Sequence, residues 1–179
     1  QAVSARLLVP AAAAALLLAG CTGDPVNPAT VCPQGLILAD AGEATIFREG
    51  AGRDLTDISA QVRIADVVVD CKRDRRLVTV DLQVAIAAER GPANRSGRQD
   101  VGYFVAVVDP QGNVMNRQSF NVAFAWPENR VRVGTVEDIE PRISVESPEK
   151  ASSYQIWVGL QLDEEQLRWN RSGGAAARR

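Results

Sequence analysis

The sequence predicts an all-β domain, an antiparallel sandwich of two sheets followed by one short helix. Apolar and polar side chains alternate along most of the chain from Leu36 to Leu162, which is the period of half-buried strands. Turn-forming residues separate the alternating segments, most clearly at 109–113. One helix-start signal, Asp163 followed three residues later by Gln166, closes the domain.

The first half of the domain predicts two short strands and a long hairpin. The short strands are 35–39 and 44–47, and the hairpin spans 61–88 with a charged turn at 72–76. In its first arm the apolar positions change parity after Ile64, which predicts a bulge near 65–66. In its second arm the apolar side chains share one face: Val78, Val80, Leu82, Val84 and Ile86.

The second half predicts a further hairpin and three more strands. Strand 101–108 is apolar on both faces and therefore central, and its return arm ends at Pro127. The apolar face of that arm comprises Val114, Phe120, Val122, Phe124 and Trp126. Shorter strands follow at 131–133 and 142–145, and the last strong strand is 154–162. The helix then runs from Glu164 to about Asn170, and its acidic start and basic end suit the helix dipole.

This pattern of seven or more short strands resembles immunoglobulin-like domains in architecture. The buried tryptophan typical of that family is missing, because no Trp lies between Cys32 and Cys71. We predict one domain over 32–171, with residues 172–179 as a disordered tail.

The first twenty residues form a secretory-signal pattern that ends at a cysteine. Arg6 precedes the apolar run 7–18, and the small residues Ala19 and Gly20 predict cleavage before Cys21. An uncleaved membrane anchor is the alternative, but this run, interrupted by Pro10, falls short of the roughly 20 residues that a spanning helix needs.

Leu18-Ala19-Gly20-Cys21 resembles the lipobox of bacterial lipoproteins, and the closing strand and helix, 154–171, resemble those of proteobacterial envelope lipoproteins. The resemblance implies a diacylglycerol thioether and an N-acyl chain, such as palmitate, on Cys21. Thr22, where retained lipoproteins carry Asp, implies the outer membrane of a Gram-negative bacterium, facing the periplasm. Residues 21–31, which include Pro25 and Pro28, are interpreted as the tether.

Composition excludes several functions. The chain has 20 basic and 22 acidic side chains, a net charge of −2, so nucleic acid is an unfavourable partner. It has no histidine and therefore lacks the commonest general base and zinc ligand. We predict no catalytic residues, no metal site and no cofactor.

The cysteines predict one disulfide. If Cys21 is acylated, Cys32 and Cys71 remain as a pair in an oxidising compartment, where disulfides persist. Two separated buried thiols are the alternative.

Three kinds of polar cluster could carry a chemical function, and each also has a simpler structural interpretation. Ser147 and Lys150 match the S-x-x-K pattern of penicillin-recognising enzymes, but the other motifs of that family are missing and a turn is favoured. Glu137, Asp138 and Glu140 could hold Ca²⁺, but they lack the spacing of a calcium loop and favour a solvated loop. The basic groups at 72–76 and 168–179 could contact lipid headgroups or cell wall, but such groups are usually solvated.

These observations predict a non-catalytic interaction or assembly module that is anchored in the membrane through Cys21 and binds another envelope protein. Trp157 lies on the polar-facing side of its strand and, if exposed there, is the candidate partner-binding residue. Alternatively, Trp157, like Trp126 and Trp169, belongs to the core or covers a sheet. The alternative is a binding module for cell-wall glycan or another small or polymeric ligand, using Trp157 and a long mobile connection at 89–100.

Overall fold

The computed structural model describes residues 32–50 and 52–173, and within them it contains nine strands, one α-helix and three 3₁₀-helices. The 3₁₀-helices span Ala39–Ala41, Leu55–Asp57 and Pro148–Ser153. The strands and the helix are β1 (Gln34–Ile37), β2 (Glu43–Phe47), β3 (Ile58–Asp74), β4 (Leu77–Arg90), β5 (Arg98–Val108), β6 (Val114–Ala125), β7 (Arg132–Ile139), β8 (Arg142–Ser144), β9 (Gln155–Leu160) and α1 (Glu164–Arg171). The predicted all-β fold with one short helix is confirmed. The predicted signal peptide and tether lie outside the described residues, as does most of the predicted tail.

The strands form two sheets that share one core. The first sheet has the order β1-β9-β5-β6, and the second has the order β2-β3-β4-β7 with β8 also paired to β4. Alternate residues of both sheets point into one hydrophobic cluster, as the predicted periodicity requires. Its best-buried members include Leu82 and Ile86 from the second sheet and Tyr103, Ile156 and Leu160 from the first.

The prediction of a wholly antiparallel arrangement is wrong for β1. This strand runs parallel to β9, with Gln34 opposite Gln155 and Ile37 opposite Val158. Alternation of side chains gives the faces of a strand but not its direction, and direction is fixed locally only where a short turn joins neighbours. The first and last strands have no such turn between them.

The β3–β4 hairpin contains the predicted bulge, and its turn is shorter than predicted. Ile64 pairs with Ile86 and Asp66 with Ala85, which leaves residue 65 as the extra one. The turn was predicted at 72–76, but β3 continues to Asp74 and only two residues reverse the chain. Charged side chains can remain in this exposed part of the ladder because they need not be buried.

The β5–β6 hairpin has the predicted turn chemistry. The Asp109 carboxylate accepts hydrogen bonds from the backbone N–H groups of Gln111, at 2.9 Å, and Asn113, at 2.7 Å. Gly112 adopts a left-handed φ of 87°, which a side chain would disfavour. The aspartate and the glycine therefore fix the reversal together.

Strand β7 is longer than predicted, and this corrects the interpretation of the acidic residues. We expected a strand only at 131–133 and a solvated loop at Glu137 and Asp138, but both residues lie within β7. The strand pairs continuously with β4, from Arg132 opposite Glu89 to Ile139 opposite Leu82. Pairing with a long neighbour overrides the low strand propensity of the acidic residues.

The connection between β4 and β5 is ordered, although a long mobile connection was predicted. The strands extend into 89–100 and leave 91–97 as the loop, which encloses the buried side chain of Asn94. The Asn94 amide nitrogen donates to the Arg98 carbonyl at 3.0 Å, and its oxygen accepts from the Gly97 N–H at 2.9 Å. One side chain thus satisfies backbone groups that the loop leaves unpaired.

Helix α1 has the predicted capping box. The Asp163 carboxylate accepts from the Gln166 N–H at 2.7 Å, and the Gln166 side chain accepts from the Asp163 N–H at 3.0 Å. The helix ends one residue later than predicted, and Asn170 donates to the carbonyl oxygens of Asp40 and Glu43. These bonds dock the helix beside β2. No helix in the described ranges is long and apolar enough to cross a membrane.

Burial of Tyr103 predicts a loss of stability at high pH. Desolvation, with a contribution from Glu137, raises the pKa of Tyr103 to about 12 from its ordinary 10.0. The unfolded chain therefore loses this proton first, and the free energy of unfolding falls as the pH rises from 10 towards 12. Urea denaturation across this range tests the prediction, with Tyr103→Phe as the control that lacks this titration. An equal fall in both proteins would contradict it.

Candidate functional site

The predicted disulfide is present. Cys32 and Cys71 are bonded, with their Cα atoms 5.7 Å apart and 39 positions apart in sequence. Cys32 is buried just before β1, and Cys71 lies in β3. The bond therefore joins the start of β1, in the first sheet, to the second sheet. Cys21, the predicted lipidation site, lies outside the described residues.

The second predicted site residue, Trp157, lies on the outer face of the first sheet and is half-buried. Its register neighbours are Leu36 in β1 and Ala106 in β5. Strand alternation brings side chains from all four strands of this sheet to the same surface. We call this surface the Trp157 face and define it by six residues: Leu36, Phe104, Ala106, Arg117, Gln155 and Trp157.

Polar contacts fix the aromatic groups of the Trp157 face. The indole N–H of Trp157 donates to the Gln155 side-chain oxygen at 2.8 Å. The Arg117 guanidinium lies 4.0 Å from the centre of the Phe104 ring, within the range of cation–π attraction. Both rings are thereby held in place while remaining partly exposed.

The absence of a side chain at Gly159 leaves room for the Phe104 ring. A Cβ atom added to Gly159 would stand 2.8 Å from that ring and 3.1 Å from the Ala41 side chain. Sequence reasoning identified Trp157 but missed Phe104 and Arg117. Phe104 could have been identified because strand 101–108 is apolar on both faces. This pattern indicates that the outer face of β5 also packs against other side chains.

The Trp157 face is suited to binding by stacking and hydrogen bonding. Trp and Arg are the residue types that most often dominate protein interfaces, because each offers a large contact area together with a polar group. Its indole, phenyl ring, guanidinium and amide groups offer aromatic surface for stacking and polar atoms for hydrogen bonds.

Ser147 and Lys150 are not arranged as a nucleophile and its base. Lys150 forms an ion pair with Glu146, which raises the pKa of the lysine and keeps it protonated. Ser147 is hydrogen-bonded to the Glu149 carboxylate, which lowers the pKa of that glutamate. The predicted turn is present as the 3₁₀-helix Pro148–Ser153.

The three acidic residues considered for Ca²⁺ have separate protein partners. Glu137 accepts from Thr135 and Asp138 from Gln83, each at 3.0 Å. Glu140 forms an ion pair with Arg142, also at 3.0 Å. Neighbouring strand positions point to opposite faces, which keeps Glu137 and Asp138 apart. In the part of the chain that the structure describes, no group of three or more His, Cys, Asp or Glu side chains could hold a metal ion.

Members of the two basic groups also have acidic partners. Lys72 pairs with Asp81 at 3.1 Å, which raises the pKa of the lysine. In the helix, Arg171 pairs with Asp40 at 2.9 Å. Exposed pairs of this kind contribute little stability, but they lower the net positive charge that an anionic surface would meet.

Two open clefts lie away from the Trp157 face, and sequence reasoning predicted neither. The larger, of about 520 Å³, is lined by β2 and α1, whose Phe47 and Trp169 rings meet edge to face at 5.2 Å. The smaller, of about 350 Å³, is bordered by Arg63, Ala87 and Arg132 of the second sheet.

The two sequence features assigned to glycan binding do not form one site. The loop 91–97 precedes β5, whereas Trp157 is opposite Ala106 near the other end of that strand. Eight residues separate Arg98 from Ala106, which corresponds to about 26 Å at roughly 3.3 Å per strand residue. A single small ligand cannot reach both.

Comparison of the chain with protein-family models, with curated proteins and with solved structures gives no match in any of the three.

Proposed function

We propose that this protein is a lipid-anchored envelope lipoprotein whose folded domain is a non-catalytic interaction module. In this proposal, Cys21 carries the lipid at the periplasmic side of the outer membrane, and the Trp157 face binds another envelope protein. The observation that carries the binding role is a half-buried tryptophan on the outer face of a sheet, held by Gln155 and neighboured by the Phe104–Arg117 pair.

The sequence supports the anchor through the lipobox and the short segment after it. From Cys21 to Cys32 the chain could extend at most about 40 Å. Because Cys32 lies just before β1 and is bonded to Cys71 in β3, both sheets would then be held close to the anchor. An anchored domain would therefore work close to the membrane surface.

The two-sheet fold with a disulfide between the sheets also supports our assignment of an immunoglobulin-like sandwich. Such domains commonly serve as binding scaffolds, so this assignment agrees with the proposed role by analogy of fold.

The lipid anchor is tested by Cys21→Ser in cells labelled with palmitate. We expect the unaltered chain to take up the label and to sediment with the outer membrane, and the variant to be unlabelled and soluble. Thr22→Asp is the matched control, which should keep the label and move to the inner membrane. An unlabelled wild-type chain would contradict the proposal.

The binding role is tested in the same cells with a photo-crosslinking residue in place of Leu36, which lies opposite Trp157 on the same face. We expect one protein to be crosslinked stoichiometrically, and none when the same residue replaces Val136, which is 57% exposed on the second sheet. The alternative function, glycan binding, predicts instead that the full chain is retained on purified peptidoglycan and that Trp157→Ala abolishes the retention.

A further inference from the structure

The four-stranded first sheet ends at β6, a long edge strand. Strand β6 has 12 residues and pairs only with β5 among the described strands. Apart from Arg117 it carries no charged side chain, and it contains no proline. An edge strand of this length exposes a row of backbone N–H and C=O groups that another strand can pair with.

The other edges of the two sheets are protected or short. On the free half of β3, the N–H groups of Val67 and Cys71 donate to the carboxylates of Asp66 and Asp70 at 2.9 and 2.8 Å. Beside β2, Asn170 of helix α1 donates to the Glu43 carbonyl at 2.7 Å. Strand β7 carries three charged residues in eight, and β1 has only four residues. Within residues 32–50 and 52–173, the edge of β6 has no comparable protection.

The register of the β5–β6 hairpin shows which backbone groups of β6 are free. The N–H of Trp126 donates to the Gly97 carbonyl. The backbone N–H and C=O groups of residue 126, and of every second residue before it, therefore point towards β5. The bulge at the far end of the hairpin limits this alternation to positions after 116. The residues whose backbone groups face outward are therefore Arg117, Ser119, Asn121, Ala123 and Ala125.

These five residues are self-complementary about Asn121. In an antiparallel pair of two β6 strands centred on this residue, Arg117 lies opposite Ala125 and Ser119 opposite Ala123, so all five contribute hydrogen bonds. Asn121 meets its own copy, and a side-chain amide can both donate to and accept from another amide. No two like charges face each other.

The inner face supports the same register. Phe120 would lie opposite Val122 of the second copy, an aromatic and β-branched pair of the kind that stabilises sheets. Both residues pack against the core but remain partly exposed in the single chain. Pairing would complete their burial.

We infer that two copies of this protein associate through antiparallel pairing of their β6 strands about Asn121, joining their first sheets into one eight-stranded sheet. The two Trp157 faces would then lie on the same side of the joined sheet. The inference uses only the described strands and does not rest on the lipid anchor, so its failure would leave the proposed function untouched.

Cysteine crosslinking of the full chain in intact cells tests this register. Cα atoms of hydrogen-bonded antiparallel pairs are about 5.5 Å apart, within disulfide range. With a mild oxidant we expect Asn121→Cys to give a covalent dimer, and Ser119→Cys to crosslink to co-expressed Ala123→Cys but not to itself. Val136→Cys on the β7 edge is the matched control. Failure of Asn121→Cys to crosslink, or equal crosslinking by the control, would overturn the inference.

Charge substitution provides a second measurement on the purified full chain. We expect Asn121→Lys to weaken the dimer by at least about tenfold, because two lysines would face each other across the two-fold axis. An equimolar mixture with Asn121→Glu should restore a dimer. A wild-type chain that sediments as a monomer at about 100 μM, or a dimer unaffected by Asn121→Lys, would refute the pairing.

Discussion

Replacement of both Cys32 and Cys71 by alanine is expected to lower the free energy of unfolding by about 4 kcal/mol. The bond closes a segment of 39 positions, and the loss of its restriction on the unfolded chain accounts for a cost of this size. The folded state is affected as well. Strand β1 has only four residues, and the bond at Cys32 holds the start of this strand against the second sheet.

Urea denaturation of the double variant measures this cost, and hydrogen exchange shows whether β1 opens first. The matched control is Val68→Ala on the same β3 strand, which is 50% exposed and should change stability by less than about 0.5 kcal/mol. A double variant as stable as the control would show that the bond is dispensable.

The parts of the fold that follow from local chemistry could be predicted from the sequence. The bulge at residue 65 appears as a change of parity between Ile64 and Val67, and the Asp163–Gln166 box specifies its own hydrogen bonds. The cysteine pair follows from count and compartment. In each case the residues that carry the signal are also those that form the structure.

The parts that depend on long-range pairing could not be predicted. Nothing in β1 reveals that its neighbour is β9 or that the two run parallel. The acidic residues of β7 indicate a loop until β4 is known to lie beside them. For the candidate site, alternation gives the outward side of Trp157, but only the strand order places Phe104 and Arg117 on the same face.

The ordered loop between β4 and β5 shows a further limit of sequence reasoning. Gly91, Asn94 and Gly97 indicate flexibility when they are considered as a composition. In the fold each has a specific position: Asn94 is buried, Gly97 has a left-handed φ of 67°, and Gly91 lies against the backbone of another strand. Turn-forming residues therefore do not distinguish a mobile connection from one that a buried side chain fixes.

Gly91→Ala is expected to lower the free energy of unfolding by about 3 kcal/mol, the upper part of the range for overpacking. A Cβ atom at this position would lie 2.1 Å from the carbonyl oxygen of Ile58 and 2.6 Å from its carbonyl carbon. These atoms belong to the start of β3, where Gly91 donates to the Ser59 carbonyl at 2.8 Å and Ala93 donates to the Ile58 carbonyl at 2.9 Å. The clash cannot be relieved by rotating a side chain, because both atoms belong to the backbone. The loop at Gly91 and the start of β3 must therefore move apart.

The matched control for this substitution is Gly52→Ala, where the added Cβ atom would meet only the end of the Asp57 carboxylate, at 3.0 Å. We expect that variant to unfold at nearly the wild-type urea concentration, because the end of a side chain can shift by a few tenths of an ångström more easily than backbone atoms can. If Gly91→Ala unfolded together with the control, the close approach to Ile58 would not constrain the fold. A selective loss would show that the 91–97 loop is fixed to β3 and does not serve as a flexible connection.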